Sequence, residues 1–369
     1  MLQTLSDVPE AVHGTPVVQA LYQVSPLSDA RWPEFLANHP RASIFHSRPW
    51  LEALRRTYGY EPVGYTTTPP GKDLENAAVF CRVESRLTGR RLVSLPFSDH
   101  CDFLVKDRDD LPSFLEGLEH KIREERWRYV EIRPLQEFTP SSSFAHRSAS
   151  YSFHQIDLTP NLETLLANCH KSSTQRKIQR AQREGLAYEE GISKFHLNAF
   201  YKLLVTTRRR HRLPPQPKNW FSNLISCFGD DLKIRLAIRH GRPVAGMLTI
   251  RYKDTLIYKN GGSDPRFHNL GAMHLLYWES IRNAKETGLR TFDLGRTDAN
   301  QTGLINFKSR WGAQQSAVTY WRCASDKGSK HIFDQSGDGW KMQLVKRAFS
   351  LAPTSLLPKV GKLLYKHAG

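Results

Sequence analysis

The chain has 369 residues, 39% of them hydrophobic and 11% aromatic, which suffices for buried cores and argues against a wholly disordered protein. The net charge of +17 favours a polyanionic partner such as nucleic acid, a phosphorylated substrate or anionic lipid, the alternative being a generally basic surface. The five scattered cysteines form no C-x-x-C pair, which argues against a disulfide framework and a structural zinc site. A cytoplasmic protein is expected, since signal-peptide and membrane-span patterns are absent from the sequence.

The first half of the chain predicts three strands, a helix and a fourth strand. Segments 61–67, 77–85 and 91–97 alternate like strands and are separated by turn residues. Segment 111–134 then reads as an amphipathic helix that runs into the strand YVEIR. The half therefore has the order strand, turn, strand, strand, loop, helix, strand.

The second half repeats this order. Segments 232–239, 244–253 and 255–263 predict strands, and 272–295 predicts a helix followed by a strand. Gly288 suits the left-handed position that often ends a helix. Two matching orders predict a duplicated α/β unit.

The expected fold class is α/β in the α+β sense, with mixed, mostly antiparallel sheets flanked by helices. The expected division places one unit in residues 1–155 and the second in 156–325. A basic amphipathic tail would occupy 326–369.

Basic residues gather in the helical region that joins the two halves. Within a helix predicted over 161–185, Arg176, Arg180 and Arg183 share one face, with Lys177 beside them. This row could hold phosphates or could be a solvated helix face. A second cluster, within 206–217, contains four arginines and His211, and could bind an anion or cap the negative end of a helix.

The segment 261–276 lies between a predicted strand and a predicted helix. It places Asn269 and Gly271 where free backbone N–H groups attract anions. It matches neither G-x-G-x-x-G nor the P-loop pattern, so dinucleotide and Walker-type sites are disfavoured. An ordinary loop with a helix cap is the alternative.

The stretch FDLGRTDANQTGLINFKSRWGA, 292–313, carries the main candidate site. A strand is predicted to end at Gly295, and Arg296, Asp298 and Lys308 follow it. Apolar neighbours would fold this segment back and partly enclose Lys308, where a cation can serve a bound anion or an oxyanion. The alternative is a surface loop. No metal-ligand spacing and no Ser-His-Asp order are present in the sequence, so no metal is expected.

Five segments in this order resemble the FemAB-like branch of the GNAT acyltransferase superfamily, including domains described as BioF2-like: 43–62, 170–185, 263–288, 292–296 and 303–313. The resemblance covers about residues 40–323. Some members of this branch are peptidoglycan-bridge aminoacyltransferases. Others are linked to exopolysaccharide or exosortase-type (PEP-CTERM) gene clusters.

The resemblance implies two tandem GNAT-like domains that move an acyl or aminoacyl group from an activated donor to an amine. The donor would be acyl-CoA, an aminoacyl-tRNA or a carrier-protein thioester, and the acceptor a cell-envelope saccharide or peptidoglycan precursor. The GNAT pyrophosphate loop is poorly matched at Arg266 to Ala272, which has one glycine and the wrong spacing. This departure puts acetyl-CoA in doubt.

The resemblance implies that Lys308, the lysine of the FK pair, lies near the donor and the reacting carbonyl, and the chemistry of transfer suggests roles for this and other residues. Lys308 of the FK pair would stabilise the oxyanion or a donor phosphate, and Asp298 would act as a base or orient the amine. Binding roles fall to Arg296 for an anionic substrate group, to Tyr258 for the acceptor pocket, and to Arg176, Lys177 and Arg180 for the donor.

Two alternatives remain open. The chain could be a non-catalytic RNA- or anion-binding protein on a degenerate GNAT scaffold. The tail 340–369 could lie on an anionic membrane surface at the inner face of the membrane, or could pack across the body as a closing helix.

Overall fold

The computed structural model describes residues 20–85, 89–136 and 145–324. Twelve strands form one sheet in the order β1-β2-β3-β4-β5-β12-β6-β11-β10-β9-β8-β7. The strands are β1 Tyr22–Val24, β2 Glu61–Thr66, β3 Ala78–Ser85, β4 Gly89–Val93, β5 Tyr129–Ile132, β6 Ala145–Asp157, β7 Ala187–Gly191, β8 Leu232–Arg239, β9 Arg242–Tyr252, β10 Thr255–Ser263, β11 Thr291–Asp298 and β12 Gln314–Ala324.

Helices flank this sheet. The α-helices are α1 Trp32–Asn38, α2 Arg48–Tyr58, α3 Leu111–Glu124, α4 Leu162–Asn168, α5 Arg176–Arg183, α6 Lys194–Arg210, α7 Lys218–Phe228, α8 Ala272–Glu286 and α9 Thr302–Ser309. No helix within the described ranges is long and apolar enough to cross a bilayer.

The predicted duplication is present in the sheet. Strands β2, β3 and β4 form an antiparallel meander, and α3 carries the chain over to β5, which pairs parallel to β4. Strands β8, β9 and β10 form the same meander, and α8 leads to β11, which pairs parallel to β10. A parallel neighbour requires such a crossover. The mixed, mostly antiparallel α/β fold is therefore confirmed.

Two long strands join the units at the centre of the sheet. Strand β6 follows the first unit in the chain but pairs with β11 of the second unit and with β12. Strand β12 follows the second unit but pairs with β5 of the first. Each unit is thus followed by a strand that pairs with a strand of the other unit. The predicted boundary between residues 155 and 156 falls inside β6, and the division into domains stays a prediction.

Two expected elements differ from the structure. Strand β11 does not end at Gly295, because it resumes pairing with β6 at Arg296 after a bulge and continues to Asp298. The helix predicted over 161–185 is broken after α4, where Cys169 adopts an extended conformation, and a π-helical turn precedes α5. The tail 326–369 lies outside the described residues.

The hydrophobic core continues across both units. Trp50 of α2 and Trp220 of α7 are fully buried and meet edge to face, with ring centroids 5.3 Å apart. Such aromatic pairs bury large apolar areas and prefer this geometry. A separate cluster packs α8 against β11 and includes Trp311, just beyond α9. These clusters hold the two units and α9 in fixed positions around the centre of the sheet.

Candidate active site

The candidate site lies where the parallel strands β10 and β11 part. Their pairing ends at Ile257 and Asp293, although both strands continue. Each strand carries a bulge just beyond that point, β10 at Lys259 and β11 between Asp293 and Arg296. Bulges re-aim side chains and release backbone groups from the ladder. The parting strands therefore present backbone carbonyls and charged side chains to a common space.

Lys308 fills this space from α9. Its Nζ donates to the carbonyl oxygens of Gly295, at 2.8 Å, and Arg296, at 3.3 Å. The side chain is almost completely buried. An ammonium group has three N–H donors. Two of them are thus engaged by the bulge.

Burial shifts the titration of Lys308. Loss of solvation lowers its pKa to about 8, the carboxylates of Asp99 and Asp293 oppose this shift, and Lys259 and Arg296 add to it. Lys308 is therefore a cation that can lose its proton near neutral pH.

Asp99 enters the site from the first unit, on the loop after β4. Its Oδ2 lies 2.7 Å from Lys259 Nζ, and its carboxylate lies against Gly295. Burial would raise the pKa of Asp99, but the charges of Lys259, Arg296 and Lys308 hold the pKa below its ordinary value. Asp99 is therefore an anion surrounded by three cations.

A second pair of buried groups supports the β11 bulge. Asp293 Oδ1 accepts a 2.6 Å hydrogen bond from the Gly295 amide, and Asp293 Oδ2 lies 3.6 Å from His100 Nε2. Burial would lower the pKa of His100, but Asp293 raises it above the ordinary value. Gly295 itself has φ +71°, and a Cβ there would meet Asp99 Oδ2 at 3.2 Å. Glycine fits this position for both reasons.

Arg296 and Asp298 occupy the end of β11 rather than a loop beyond it. The guanidinium of Arg296 lies 3.9 Å above the ring of Tyr151 and 5.2 Å from that of Tyr320, which fixes it by cation–π contacts. Asp298 is half exposed, lies 4.0 Å from Arg296, and accepts a hydrogen bond from Gln301. Arg296 therefore borders the space around Lys308, and Asp298 lies at its solvent side.

Tyr258 lies on β10 immediately before the bulge. Its ring packs against Tyr277 of α8, with centroids 5.5 Å apart, and Tyr277 in turn contacts Phe307, the neighbour of Lys308. Burial raises the pKa of the Tyr258 phenol. Tyr258 is thus part of the aromatic wall behind the site.

The remaining predicted residues belong to a different surface, around the start of α8. Arg176 and Arg180 are exposed on α5, and Asn269 is exposed in the 3₁₀ turn Pro265–Leu270. Gly271 begins α8 and is buried against α5, because a Cβ there would lie 2.3 Å from the Lys177 carbonyl oxygen. Packing of α5 on α8 therefore accounts for this glycine.

Basic side chains cluster on this surface, which we call the basic face: Lys177, Arg210, Arg242, Arg266 and His268. Lys177 Nζ donates to the His268 carbonyl, and Arg210 lies 3.1 Å from the His268 ring. Arg242 and Arg266 both contact Asp264. Two of the four Lys and Arg side chains thus contact one carboxylate, and the other two contact His268.

Two sizeable clefts lie elsewhere. One of about 840 Å³ is lined by first-unit residues that include Arg31, His39 and Lys106. Another of about 680 Å³ lies between β1, α2 and α7. Neither cleft is lined by Lys308 or its partners. The region between β10 and β11 is chosen as the candidate site because of its buried charged groups, and not because it is a large cleft.

Sequence reasoning missed several members of the site: Asp99, His100, Lys259 and Asp293. A usable signal was the charged residue inside an otherwise apolar strand, as in LIYKN and TFDLG. Asp99 and His100 carry no such pattern, because they reach the site through the pairing of the units. Within the described ranges, no group of three or more His, Cys, Asp or Glu side chains is arranged to hold a metal ion.

Comparison with known proteins shows what this fold and site are similar to. Residues 170–309 match the family model described as an acetyltransferase (GNAT) domain. The matched residues include α8, β11 and Lys308, and the predicted resemblance to FemAB-like acyltransferases is confirmed.

One sequence relative and two solved structures illustrate the similarity. The chain is 28% identical over 150 residues to the UDP-N-acetylmuramoylpentapeptide-lysine N(6)-alanyltransferase of Weissella viridescens, and the match spans 40% of this chain and 44% of that relative. The crystal structure of FemX aligns with a TM-score of 0.63 at 14% identity, over 85% of this chain and 97% of that one. A tandem GNAT protein from the clavulanic acid biosynthesis pathway aligns with a TM-score of 0.51 at 10% identity, over 84% and 99%. The tandem GNAT-like fold is therefore confirmed.

Proposed function

We propose that this protein transfers an acyl or aminoacyl group from an activated donor to an amine of a peptidoglycan precursor or related cell-envelope saccharide. The observation that carries the proposal is the buried ammonium of Lys308, held by two carbonyls in the gap between β10 and β11 of a GNAT domain. The relative from Weissella viridescens, named for alanyl transfer to a lysine of a UDP-linked muramoyl pentapeptide, supports this class of acceptor.

The transfer reaction requires that the amine and the donor carbonyl be oriented and that the charge developing on the carbonyl oxygen be stabilised. The neutral amine of the acceptor attacks the carbonyl carbon of the donor ester or thioester, so that a C–N bond forms and the C–O or C–S bond breaks. The amine proton passes to the leaving oxygen or sulfur. The third N–H of Lys308 would donate to the developing oxyanion, where a preorganised cation in a water-poor site is most effective. Arg296 would bind an anionic group, and Asp298 would orient the attacking amine.

The basic face supports a polyanionic donor. Its cations lie at the start of α8, within the same GNAT domain as Lys308. Arg176 and Arg180 of α5 would extend this surface for the phosphates of a charged tRNA. An acyl-CoA or a carrier-protein thioester would need fewer of these cations. The tail 340–369, outside the described residues, would bring the enzyme to an anionic membrane surface.

The test is a transfer assay with matched variants. Purified protein is supplied with alanyl-tRNA, acetyl-CoA or an acyl carrier protein thioester, together with UDP-N-acetylmuramoyl pentapeptide, and the product is measured by mass spectrometry. Lys308→Ala should lower kcat by about 10²- to 10³-fold, because one oxyanion donor is lost. Lys202→Ala, an exposed lysine of α6, serves as the control and should leave kcat unchanged.

The opposing outcomes are distinct. Transfer at the wild-type rate by Lys308→Ala would reject the assigned role of the lysine. Absence of transfer with all three donors, combined with tight binding of uncharged tRNA that weakens in Arg210→Ala, would favour the non-catalytic RNA-binding alternative, for which the basic face is the specific observation.

A further inference from the structure

The loop between β4 and α3 contains a strained turn, residues 95–100, that reaches from the first unit into the site of the second. Leu95 and Phe97 have φ +60° and +63°, values that residues with a side chain rarely adopt. Such backbone conformations persist where the surroundings impose them, and they cluster at functional sites. The 95–100 turn therefore calls for a functional explanation.

Both units hold this turn in place. Arg133 donates to the Leu95 carbonyl at 2.6 Å from just beyond β5, and Ser98 Oγ donates to the same carbonyl at 2.7 Å. Tyr320 of β12 donates its hydroxyl to the Asp99 carbonyl at 2.8 Å. The turn is thus hydrogen-bonded by residues on or next to β12 and β5, the two strands that pair at the junction of the units.

The turn presents Asp99 and His100 to the surroundings of Lys308. Asp99 binds Lys259 and packs on Gly295, whose carbonyl accepts from Lys308. His100 faces Asp293, whose carboxylate binds the Gly295 amide. Both groups therefore support the peptide units at Gly295, Asp99 directly and His100 through Asp293.

We infer that Asp99 and His100 are positioning residues for Lys308: they fix the β11 bulge that holds its ammonium, so that the site of the second unit is complete only when the first unit is docked. This inference rests on the proposed function of Lys308, and it assigns a task to the first unit. Neither residue needs to touch the substrate.

The titration midpoint of Lys308 can be measured without a substrate and tests the inference. The groups facing Lys308 are Asp99 from the turn, Lys259 from β10, Asp293 and Arg296 from β11, and His154 from β6. Replacing Asp99 by Asn removes a nearby anion and leaves Lys259 without its carboxylate partner. Both changes disfavour the charged lysine, so its titration midpoint should move to lower pH.

The experiment is an NMR titration of the intact chain labelled with ¹³C-lysine, in which the Lys308 ε-carbon signal is identified by its loss in Lys308→Met. Asp99→Asn and Asp293→Asn should each lower the midpoint by roughly one pH unit. The matched control is Asp102→Asn, from the same loop, whose carboxylate accepts from the Leu135 and Gln136 amides instead. It should leave the midpoint of Lys308 unchanged.

An unchanged midpoint in Asp99→Asn, in a variant whose melting temperature shows that it is folded, would overturn the inference. If Asp99→Asn fails to fold, Asp293→Asn decides the question, because His100 reaches the Gly295 amide through the Asp293 carboxylate. In the transfer assay, His100→Gln should lower kcat about tenfold with little change in KM, as expected for misplacement of a group that acts in the transition state. If the wild type transfers nothing while the midpoints shift as stated, the proposed function fails and the positioning role stands.

Discussion

At the scale of single residues, the central question is the charge of Lys308. Burial lowers its pKa to about 8, and the two carboxylates and two cations around it act in opposite directions on that value. A lysine whose pKa lies near the working pH is sensitive to small changes around it. The sequence indicated this lysine through its aromatic flank and the FK pair. Of the charged groups that set its pKa, the sequence indicated Arg296 but not Asp99, Asp293 or Lys259, and Asp99 is more than 200 positions away.

This balance predicts the pH dependence of transfer. If the ammonium stabilises the oxyanion, kcat should be supported below about pH 8 and should fall as the pH rises through the pKa of Lys308. In Lys308→Arg the cation persists to much higher pH. The variant should be slower than wild type because its geometry differs, but its kcat should show no decline near pH 8. The same decline in both proteins would assign the titration to another group.

At the scale of elements, the packing of α6 on β10 shows how backbone contact limits the choice of residue. A Cβ at Gly262 of β10 would lie 2.5 Å from the Leu203 carbonyl carbon and 2.6 Å from the Leu204 nitrogen. Neither is a flexible group, so the helix itself would have to move. The sequence predicted the strand β10 closely, yet its distance from α6 appears nowhere in the pattern of the strand.

Gly262→Ala should therefore destabilise the protein by about 1–3 kcal/mol, through overpacking. The control is Gly303→Ala in α9, where no atom lies within 4 Å of the added carbon. That change should be neutral or stabilise by up to about 1 kcal/mol, since alanine favours the helix. Urea denaturation curves give both values. Equal stability of the two variants would contradict the close approach of α6 to β10.

At the scale of the whole molecule, the two units share their central strands and much of a core. Strand β6 depends on β11 and β12 for its pairing, and β12 bridges β6 and β5. Trp50 and Trp220 bury each other across the units. The sequence predicted two units side by side. It carried no indication that their last strands would pair across the junction, because β6 and β12 entered no part of the predicted pattern.

This arrangement predicts how the chain behaves when cut. Residues 1–159 and 160–369, produced as separate chains, should each aggregate, because exposed strand edges and half a core are left unpartnered. Produced together, they should associate and purify as one complex. Size-exclusion chromatography measures both results. A stable, monomeric first fragment with native-like circular dichroism would show that the unit does not require β12.

The sequence by itself determined the repeated strands and crossover helix of each unit, their duplicated order and the cation at the centre of the site, because these depend on local periodicity, turn residues and a short motif. The tertiary structure decided that β11 continues past Gly295, that Lys308 is held by the carbonyls of a bulge, and that Asp99 and His100 complete its surroundings. Those features depend on pairing between strands far apart in the chain, and on burial that changes the charge state of a side chain. No local pattern encodes either of them.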